Sequence, residues 1–440
     1  MSTLRTKKVV KYVVPAMLSN VCFFLFTIVD GVFVGNGVGT NGLGAVNLVM
    51  PFTMLVQALF MLINIGGVTI LAVRLGRGDT EGANHVFRNG IIFLVIVSAI
   101  LCFTGTVLVG PVCTMLGANE TFHQLCVDYL FWYSLFIIPS GLSVGMQNYC
   151  RNDGSPGLVG IAVIISTVCN IFGDWLLIFP FSMGTKGAAI ATGVSQTIAF
   201  FIMLTHFIRK KGVLRFGRTK PDRKLLSDII VHGLPEGIGQ LAAPVMTLCM
   251  NLVLVNVVGD IGVNSFSIIS YVASFTVAVF FGTSEGLQPL FGQSYGAKNV
   301  KDLKFFFKVG ILTNFLGSIM VSGLIILFSR QICTLFGADQ ATLEYTLNVM
   351  PLYSWGFVVM AFNVMISTYL YSTERSIQAI VINFLRSIIV SSAVILLLPQ
   401  IFGADVIWLT FGIYEAVILV IAFVMLRYSE RNGIVFKEKV

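Results

Sequence analysis

Two polar side chains interrupt an apolar stretch in the first half of the chain. In VCNIFGDWLLIF, residues 168 to 179, Asn170 and Asp174 are four positions apart and share one face if the stretch is helical. Another isolated acid, Asp30, lies in the apolar stretch near the start. Two carboxylates brought together in a low-dielectric cavity cannot both stay ionised comfortably, which makes them a candidate proton carrier. With the Asn170 amide oxygen they are equally a candidate Na⁺ site, because hard cations favour oxygen ligands.

Three more charged residues fall inside apolar stretches of the second half: Glu285, Arg386 and Glu415. A charge near the centre of a bilayer costs about 2.5–3.5 kcal/mol, so each of them needs a partner or a function. Glu285 is either a substrate counter-ion or the ion-pair partner of Arg386, and Glu415 is either functional or structural. For each acid, a helix–helix hydrogen bond or a structural ion pair is the competing interpretation.

The elements that must position these residues are membrane helices. The 440 residues are 56% hydrophobic and only 11% charged, whereas soluble proteins carry roughly 25% charged residues. Apolar runs of about 20 residues, long enough to cross the ~30 Å hydrocarbon core, recur along the whole chain. We predict an all-α polytopic membrane protein with twelve transmembrane helices, near residues 12–36, 43–72, 90–112, 123–149, 158–180, 188–209, 231–256, 263–290, 305–329, 342–371, 377–399 and 406–427.

The basic residues predict the orientation of these helices. Of the 28 Lys and Arg residues, all but Lys186, Arg330 and Arg386 fall on the side of the membrane that holds both termini. The positive-inside rule therefore places both termini in the cytoplasm. The basic linker at residues 209–224 is an anionic-lipid contact, a topology signal or a regulatory segment.

The chain also repeats itself. A gapless shift of 220 positions superposes Pro15 on Pro235 and also aligns several other identical pairs: Asn36 with Asn256, Gly66 with Gly286, Gly90 with Gly310, and Tyr149 with Tyr369. We predict two six-helix lobes, residues 1–210 and 230–440, joined by a cytoplasmic linker at residues 211–229. Because six is even, the lobes have the same orientation and are related by a pseudo-two-fold axis along the membrane normal, as in two-lobed secondary transporters.

Several motifs resemble the multidrug and toxic compound extrusion (MATE) family. They are PAMLSNVCFFLFTIVDGVFVGNGVGTNGLGAVNLVMPF (15–52), LAVRLGRGDTEGANHVFRNG (71–90) with its repeat mate FGQSYGAKNVKDLKFFFKVG (291–310), and NIFGDWLLIFPFSMGTKGAAIATGVSQ (170–196). The resemblance covers essentially the whole chain. It implies a V-shaped pair of lobes in the cytoplasmic membrane that exports amphipathic, often cationic, compounds by antiport with H⁺ or Na⁺.

Carried over residue by residue, the family's coupling-cation site falls on Asp30, Asn170 and Asp174, with Thr192 in the matching place and Ala188 as a possible carbonyl donor. Some members carry further carboxylates in helices 7 and 10. The corresponding stretches here, 239–251 and 355–367, have none. This leaves Glu285 and Arg386 as the candidate substrate or ion residues of the second lobe.

Other functions have less support in the sequence. The sequence holds no Walker-type phosphate loop and no HExxH, so an ATP-driven pump or an intramembrane metalloprotease has no support, and we expect neither a cofactor nor a metal centre. A lipid-linked oligosaccharide or polysaccharide flippase of the same wider superfamily is the first alternative. A membrane-embedded lipid-modifying enzyme is the second, although the acids do not cluster at a membrane face. We expect the partners to be the lipid bilayer and small amphipathic or cationic compounds, and we expect no binding to nucleic acid. We expect the protein to be a monomer.

Overall fold

The computed structural model describes residues 2–38, 40–118, 120–336 and 338–431. Gly39, which belongs to the 15–52 motif, and the last nine residues of the predicted second lobe lie outside these ranges. All regular secondary structure in the described ranges is helical, which confirms the predicted all-α class. A π-helical turn, Leu385–Ile389, and a 3₁₀ turn, Ala404–Val406, accompany the α-helices. The α-helices are α1 (Ser2–Val38), α2 (Thr40–Gly76), α3 (Thr80–Val107), α4 (Val109–Met115), α5 (Glu120–Leu135), α6 (Ile137–Asn152), α7 (Pro156–Ile178), α8 (Gly184–Ile208), α9 (Arg223–Gly239), α10 (Ala242–Val257), α11 (Asp260–Gly296), α12 (Val300–Leu327), α13 (Ser329–Leu335), α14 (Gln340–Ser372), α15 (Ser376–Phe384), α16 (Val390–Phe402) and α17 (Ile407–Arg431).

The number of membrane spans depends on one bent helix pair. Eleven helical segments of the described chain are long and apolar enough to cross a membrane, and α5 with α6 makes a twelfth if the pair is one span. These two helices meet at Phe136 with a bend of 52°. Pro139, in the first turn of α6, has no backbone N–H to continue the hydrogen-bond ladder of α5, which favours a break at this point. The predicted polytopic helical architecture is confirmed.

The helix bounds repeat with the same shift as the sequence. The residue ranges of α2, α3 and α4 become those of α11, α12 and α13 when 220 is added to each bound. In the second half, α14 runs unbroken where α5 and α6 are separate helices. The internal repeat is therefore a repeat of structure as well as of residue types.

The helices form two compact units. One unit comprises Val10–Gly233, and the other comprises Leu234 onward together with the first residues up to Val9. Each unit has its own buried core; that of the second includes Phe266, Tyr353, Trp408 and Phe411.

The basic linker is an ordered part of the first unit. The side chain of Asp153, at the end of α6, lies against that of His206, with Oδ2 and Nε2 2.9 Å apart, and both side chains are almost completely buried. The same carboxylate accepts hydrogen bonds from the backbone N–H groups of Val213 and Leu214 at 2.8 and 3.3 Å. Farther along, the backbone N–H of Asp222 donates to the amide oxygen of Asn89 at 3.0 Å. These bonds hold the linker against the ends of α3, α6 and α8.

Candidate functional site: a carboxylate and amide cluster in the first unit

The site is built on one buried face of α7. Ser166, Asn170, Asp174 and Ile178 follow one another at intervals of four residues and are all at most 5% exposed. The opposite face carries apolar side chains that are half exposed, as expected of a surface that contacts lipid: Ile161, Val168, Phe172 and Trp175. Since residues four apart lie one above another on a helix, the pattern directs Asn170 and Asp174 together into the unit.

Four acceptor oxygens at this site have no hydrogen bond of ordinary length among the described residues. Asp174 is fully buried, and among the described residues neither of its carboxylate oxygens has a hydrogen-bond partner. The same is true of Asn170 Oδ1 and of Asp30 Oδ1 on α1. Asp30 is close enough to interact electrostatically with Asp174. Buried polar groups are hydrogen-bonded in most proteins, so four unsatisfied acceptor atoms indicate a place for a proton or a cation.

Helix α8 supplies the third side of the site. Asn170 Nδ2 donates to Thr192 Oγ1 at 3.4 Å, and Ala188 lies fully buried one turn before Thr192. The two helices approach closely because Gly173 has no side chain. A Cβ atom added there would lie 3.0 Å from the Cβ atom of Ala191. All five residues of the site predicted from the sequence therefore lie in the first unit.

Tyr129 of α5 also belongs to this site, and the sequence prediction did not include it. Tyr129 is 8% exposed and interacts electrostatically with both Asp30 and Asp174. Its ring stacks on that of Tyr133, with the centroids 6.1 Å apart and the planes 12° from parallel. The available signal was the spacing of Tyr129 and Tyr133 in DYLFWY (128–133), because residues four apart lie on one helical face.

The second unit has a different charged cluster. Arg386, in the π-helical turn, forms an ion pair with Glu415 of α17, with Nε and Oε1 2.8 Å apart. The Asn363 amide donates to Glu415 Oε2 at 2.7 Å. Glu285 of α11 interacts electrostatically with Glu236 of α9, which in turn interacts with Arg386. The sequence prediction did not include Glu236, because the stretch compared with the family's helix 7 begins at residue 239. The available signal was the position of Glu236 next to Pro235, inside the predicted span 231–256.

The described residues contain no group of three or more His, Cys, Asp and Glu side chains with the arrangement of a metal site. The donor set around Asp174 consists instead of carboxylate, amide and hydroxyl oxygens. That set suits a proton or a hard monovalent cation, because hard cations prefer oxygen ligands.

Comparisons with known proteins agree with this organisation. The MatE family model matches residues 15–176 and again residues 235–396, two stretches that start 220 positions apart. The multidrug export protein MepA of Staphylococcus saprophyticus is 23% identical over 410 residues, which cover 91% of this chain and 89% of that protein. The probable multidrug resistance protein YoeA of Bacillus subtilis is 25% identical over 390 residues, covering 84% of this chain and 83% of YoeA.

The fold has solved counterparts. A MATE crystal structure in complex with MaL6 superposes with a TM-score of 0.91 over 97% of both chains, at 21% sequence identity. At that identity the match establishes the fold.

Proposed function

Because the chain belongs to the MatE family, we propose that it is a secondary active multidrug efflux transporter that exports amphipathic or cationic organic compounds in exchange for H⁺ or Na⁺. It is a multi-pass membrane protein, and we place it in the cytoplasmic membrane with both termini in the cytoplasm, as a monomer. Its partners in this proposal are the lipid bilayer and the exported compounds, and its role is transport without enzymatic turnover. The names of MepA and YoeA, which refer to multidrug export and multidrug resistance, favour this class of substrate.

The observation that carries the proposal is the set of buried acceptor atoms around Asp174. Asp30 and Asp174 supply the negative charge that holds the coupling ion, and the oxygens of Asn170 and Thr192 complete the donor set. An ion bound there relieves both the electrostatic repulsion and the missing hydrogen bonds, so its binding favours conformations in which these groups stay together.

Transport then follows by alternating access. The coupling ion and the exported compound need only favour different conformations of the protein, because a difference in affinity between two states is what couples two binding events. Binding of the external ion at the first unit lowers the affinity for the compound and promotes its release outside. The oxygen ligands suit H⁺ and Na⁺ alike as the coupling ion, and imposing the two gradients separately distinguishes them.

The test uses purified protein in proteoliposomes, with a fluorescent organic cation as substrate and with pH and Na⁺ gradients imposed separately. We expect one of the two gradients to drive accumulation in the wild type. Asp174→Asn should reduce this to the leak of protein-free liposomes, since a neutral amide cannot provide the charge that binds the ion. Asp260→Asn is the matched control, because Asp260 is an exposed acid at the start of α11. Absence of transport under both gradients in the wild type would refute the proposal.

A further inference from the structure

A fully buried acid in the second unit has a complete set of partners. Glu415 is 0% exposed, and its carboxylate oxygen Oε1 lies 2.8 Å from Arg386 Nε. The other oxygen, Oε2, accepts a hydrogen bond from Asn363 Nδ2 at 2.7 Å, and the same amide nitrogen lies 2.8 Å from the backbone carbonyl oxygen of Glu415. Both carboxylate oxygens are thus satisfied by side chains of this unit.

The buried acid of the first unit lacks such partners. Asp174 is equally buried, but neither carboxylate oxygen has a partner among the described residues. The charged group that interacts with it electrostatically is another acid, Asp30. The first unit therefore offers negative charge that an incoming cation must neutralise, whereas in the second unit a covalently attached cation already does so.

The internal repeat relates the ion pair of the second unit to a neutral contact in the first unit. With the shift of 220 positions, Arg386 corresponds to Ser166 and Glu415 to Ser195. In the first unit these serines also touch: Ser166 Oγ donates to the carbonyl oxygen of Ser195 at 2.9 Å. The same helix contact is neutral in one half and charged in the other. Conversely, the buried positions of α16 are Ser391, Ile395 and Pro399, so this helix carries no acid corresponding to Asp174 of α7.

The backbone at Arg386 is also special. Residues Leu385–Ile389 form a π-helical turn between α15 and α16, closed by a hydrogen bond from the backbone N–H of Val390 to the Leu385 carbonyl oxygen. Such a turn accommodates one extra residue and changes the direction of the side chains that follow, and it occurs most often at functional sites. Here it coincides with Arg386, whose side chain is 10% exposed while Glu415 is completely buried.

We propose that Arg386 is a tethered counter-ion that replaces, in the second unit, the exchangeable cation of the first. Glu415 then never needs H⁺ or Na⁺ during the cycle, so it adds nothing to the number of coupling ions exchanged. This inference rests on the proposed function for its statement about coupling, while its statement about Glu415 stands on the ion pair alone. It is a positioning role, since Arg386 acts by keeping the Glu415 carboxylate charged and bonded.

Removal of Arg386 should turn Glu415 into an acid that requires an outside cation. The other charged or titratable groups near the pair lie on four helices: Glu236 on α9, Glu285 on α11, Tyr353 on α14 and Tyr414 on α17. Arg386 is absent from both the single and the double variant, so the effect of its loss on Glu236 is common to the two.

The experiment compares the wild type with Arg386→Gln, Arg386→Lys and the double variant Arg386→Gln/Glu415→Gln. Thermal unfolding of the purified proteins in detergent is measured between pH 5.5 and pH 8. At pH 8, Arg386→Gln should unfold roughly 5 °C below the double variant, because a lone buried carboxylate is more costly than a neutral pair. The difference should narrow towards pH 5.5, because protonation removes the cost of a buried carboxylate that has no counter-ion. Arg386→Lys should stay near the wild type at every pH, since it retains the charge.

The second readout is gradient-driven transport and the number of coupling ions moved per substrate. The double variant should transport with the wild-type ratio, whereas Arg386→Gln should show an additional dependence on H⁺ or Na⁺ that Glu415→Gln removes. A folded double variant with an altered ratio, or an Arg386→Gln variant that matches the wild type at all pH values, would overturn the inference. If the wild type shows no ion coupling, the proposed function fails, and the pH-dependent unfolding alone decides whether Arg386 is the counter-ion of Glu415.

Discussion

The contact between α7 and α8 at Gly173 sets the geometry of the proposed cation site, and enlarging this residue should disturb the site in a calculable way. A Cβ atom at Gly173 would be 3.0 Å from Ala191 Cβ, which is closer than ordinary van der Waals contact, and 3.5 Å from Ala191 Cα. Valine adds two methyl groups to this contact. Overpacking of this kind typically costs about 1–3 kcal/mol and is relieved when the two helices move apart.

The hydrogen bond between Asn170 Nδ2 and Thr192 Oγ1 is already long, at 3.4 Å. A separation of about 0.5 Å would therefore remove it, because hydrogen bonds weaken steeply beyond their usual range. The loss of one such bond is worth about 1 kcal/mol, so the affinity for the coupling ion should fall roughly fivefold. Gly173→Ala should have a smaller effect, since it adds only the Cβ atom to this contact.

The assay is the concentration of H⁺ or Na⁺ that gives half-maximal transport in proteoliposomes, measured for Gly173→Val and for Gly157→Val. Gly157 is on the same helix and has no atom within 4 Å of an added Cβ, so its variant controls for valine in α7. We expect a shift only for Gly173→Val. Equal half-maximal concentrations in the two variants would refute the argument that helix spacing positions Asn170 against Thr192.

Three further predictions concern the linker and the aromatic side of the site. Asp153→Asn should loosen the linker, because the amide keeps only one acceptor oxygen, whereas both carboxylate oxygens are used by His206 and by the backbone N–H groups of Val213 and Leu214. A buried donor left without a partner costs about 1–3 kcal/mol. Faster tryptic cleavage after the linker's basic residues would reveal the loosening, and cleavage at the wild-type rate would contradict it. Hydrogen bonds from the backbone N–H of Leu225, with His85, lower the pKa of Asp222. This acid therefore stabilises the linker above the ordinary carboxyl pKa of about 3.9, and the stabilisation is lost as the pH falls through its lowered pKa. Cleavage of the linker by an acid protease should rise below pH 4 in the wild type and should already be fast at pH 5 in Asp222→Asn; a pH-independent wild type would count against it. Tyr129→Phe should raise the half-maximal coupling-ion concentration by several-fold through loss of a hydroxyl group beside Asp174, while an unchanged value would place that hydroxyl outside the site.

Much of this fold is encoded locally and could therefore be predicted. Long apolar runs specify membrane helices, and the 220-position shift was visible because glycine and proline occupy equivalent turns and close contacts in both halves. The pair Asn170 and Asp174 was recognisable because helical periodicity alone places the two residues on one face. The bend at Phe136 was not predicted, since Pro139 lies in an apolar run that reads as one span.

Partners across helices were harder to predict, because periodicity does not determine which helix packs on which. Tyr129 is one aromatic residue among many, and only the packing of α5 brings it to the two acids. Glu285 was the acid considered from the sequence as the ion-pair partner of Arg386, and the structure pairs Arg386 with Glu415, which is 29 positions farther along the chain. Such pairings depend on tertiary contacts between helices that the sequence pattern alone leaves undetermined.

The account depends most on the claim that Asp174 binds the ion that is exchanged for substrate. The most direct measurement is ion movement driven by a substrate gradient, followed with a pH-sensitive dye and with radioactive Na⁺ in proteoliposomes that contain the wild type or Asp174→Asn. The account predicts that an imposed substrate gradient moves one of these ions in the opposite direction in the wild type and moves neither in the variant. Substrate flux in the wild type without any ion movement, or equal ion movement in Asp174→Asn, would contradict it.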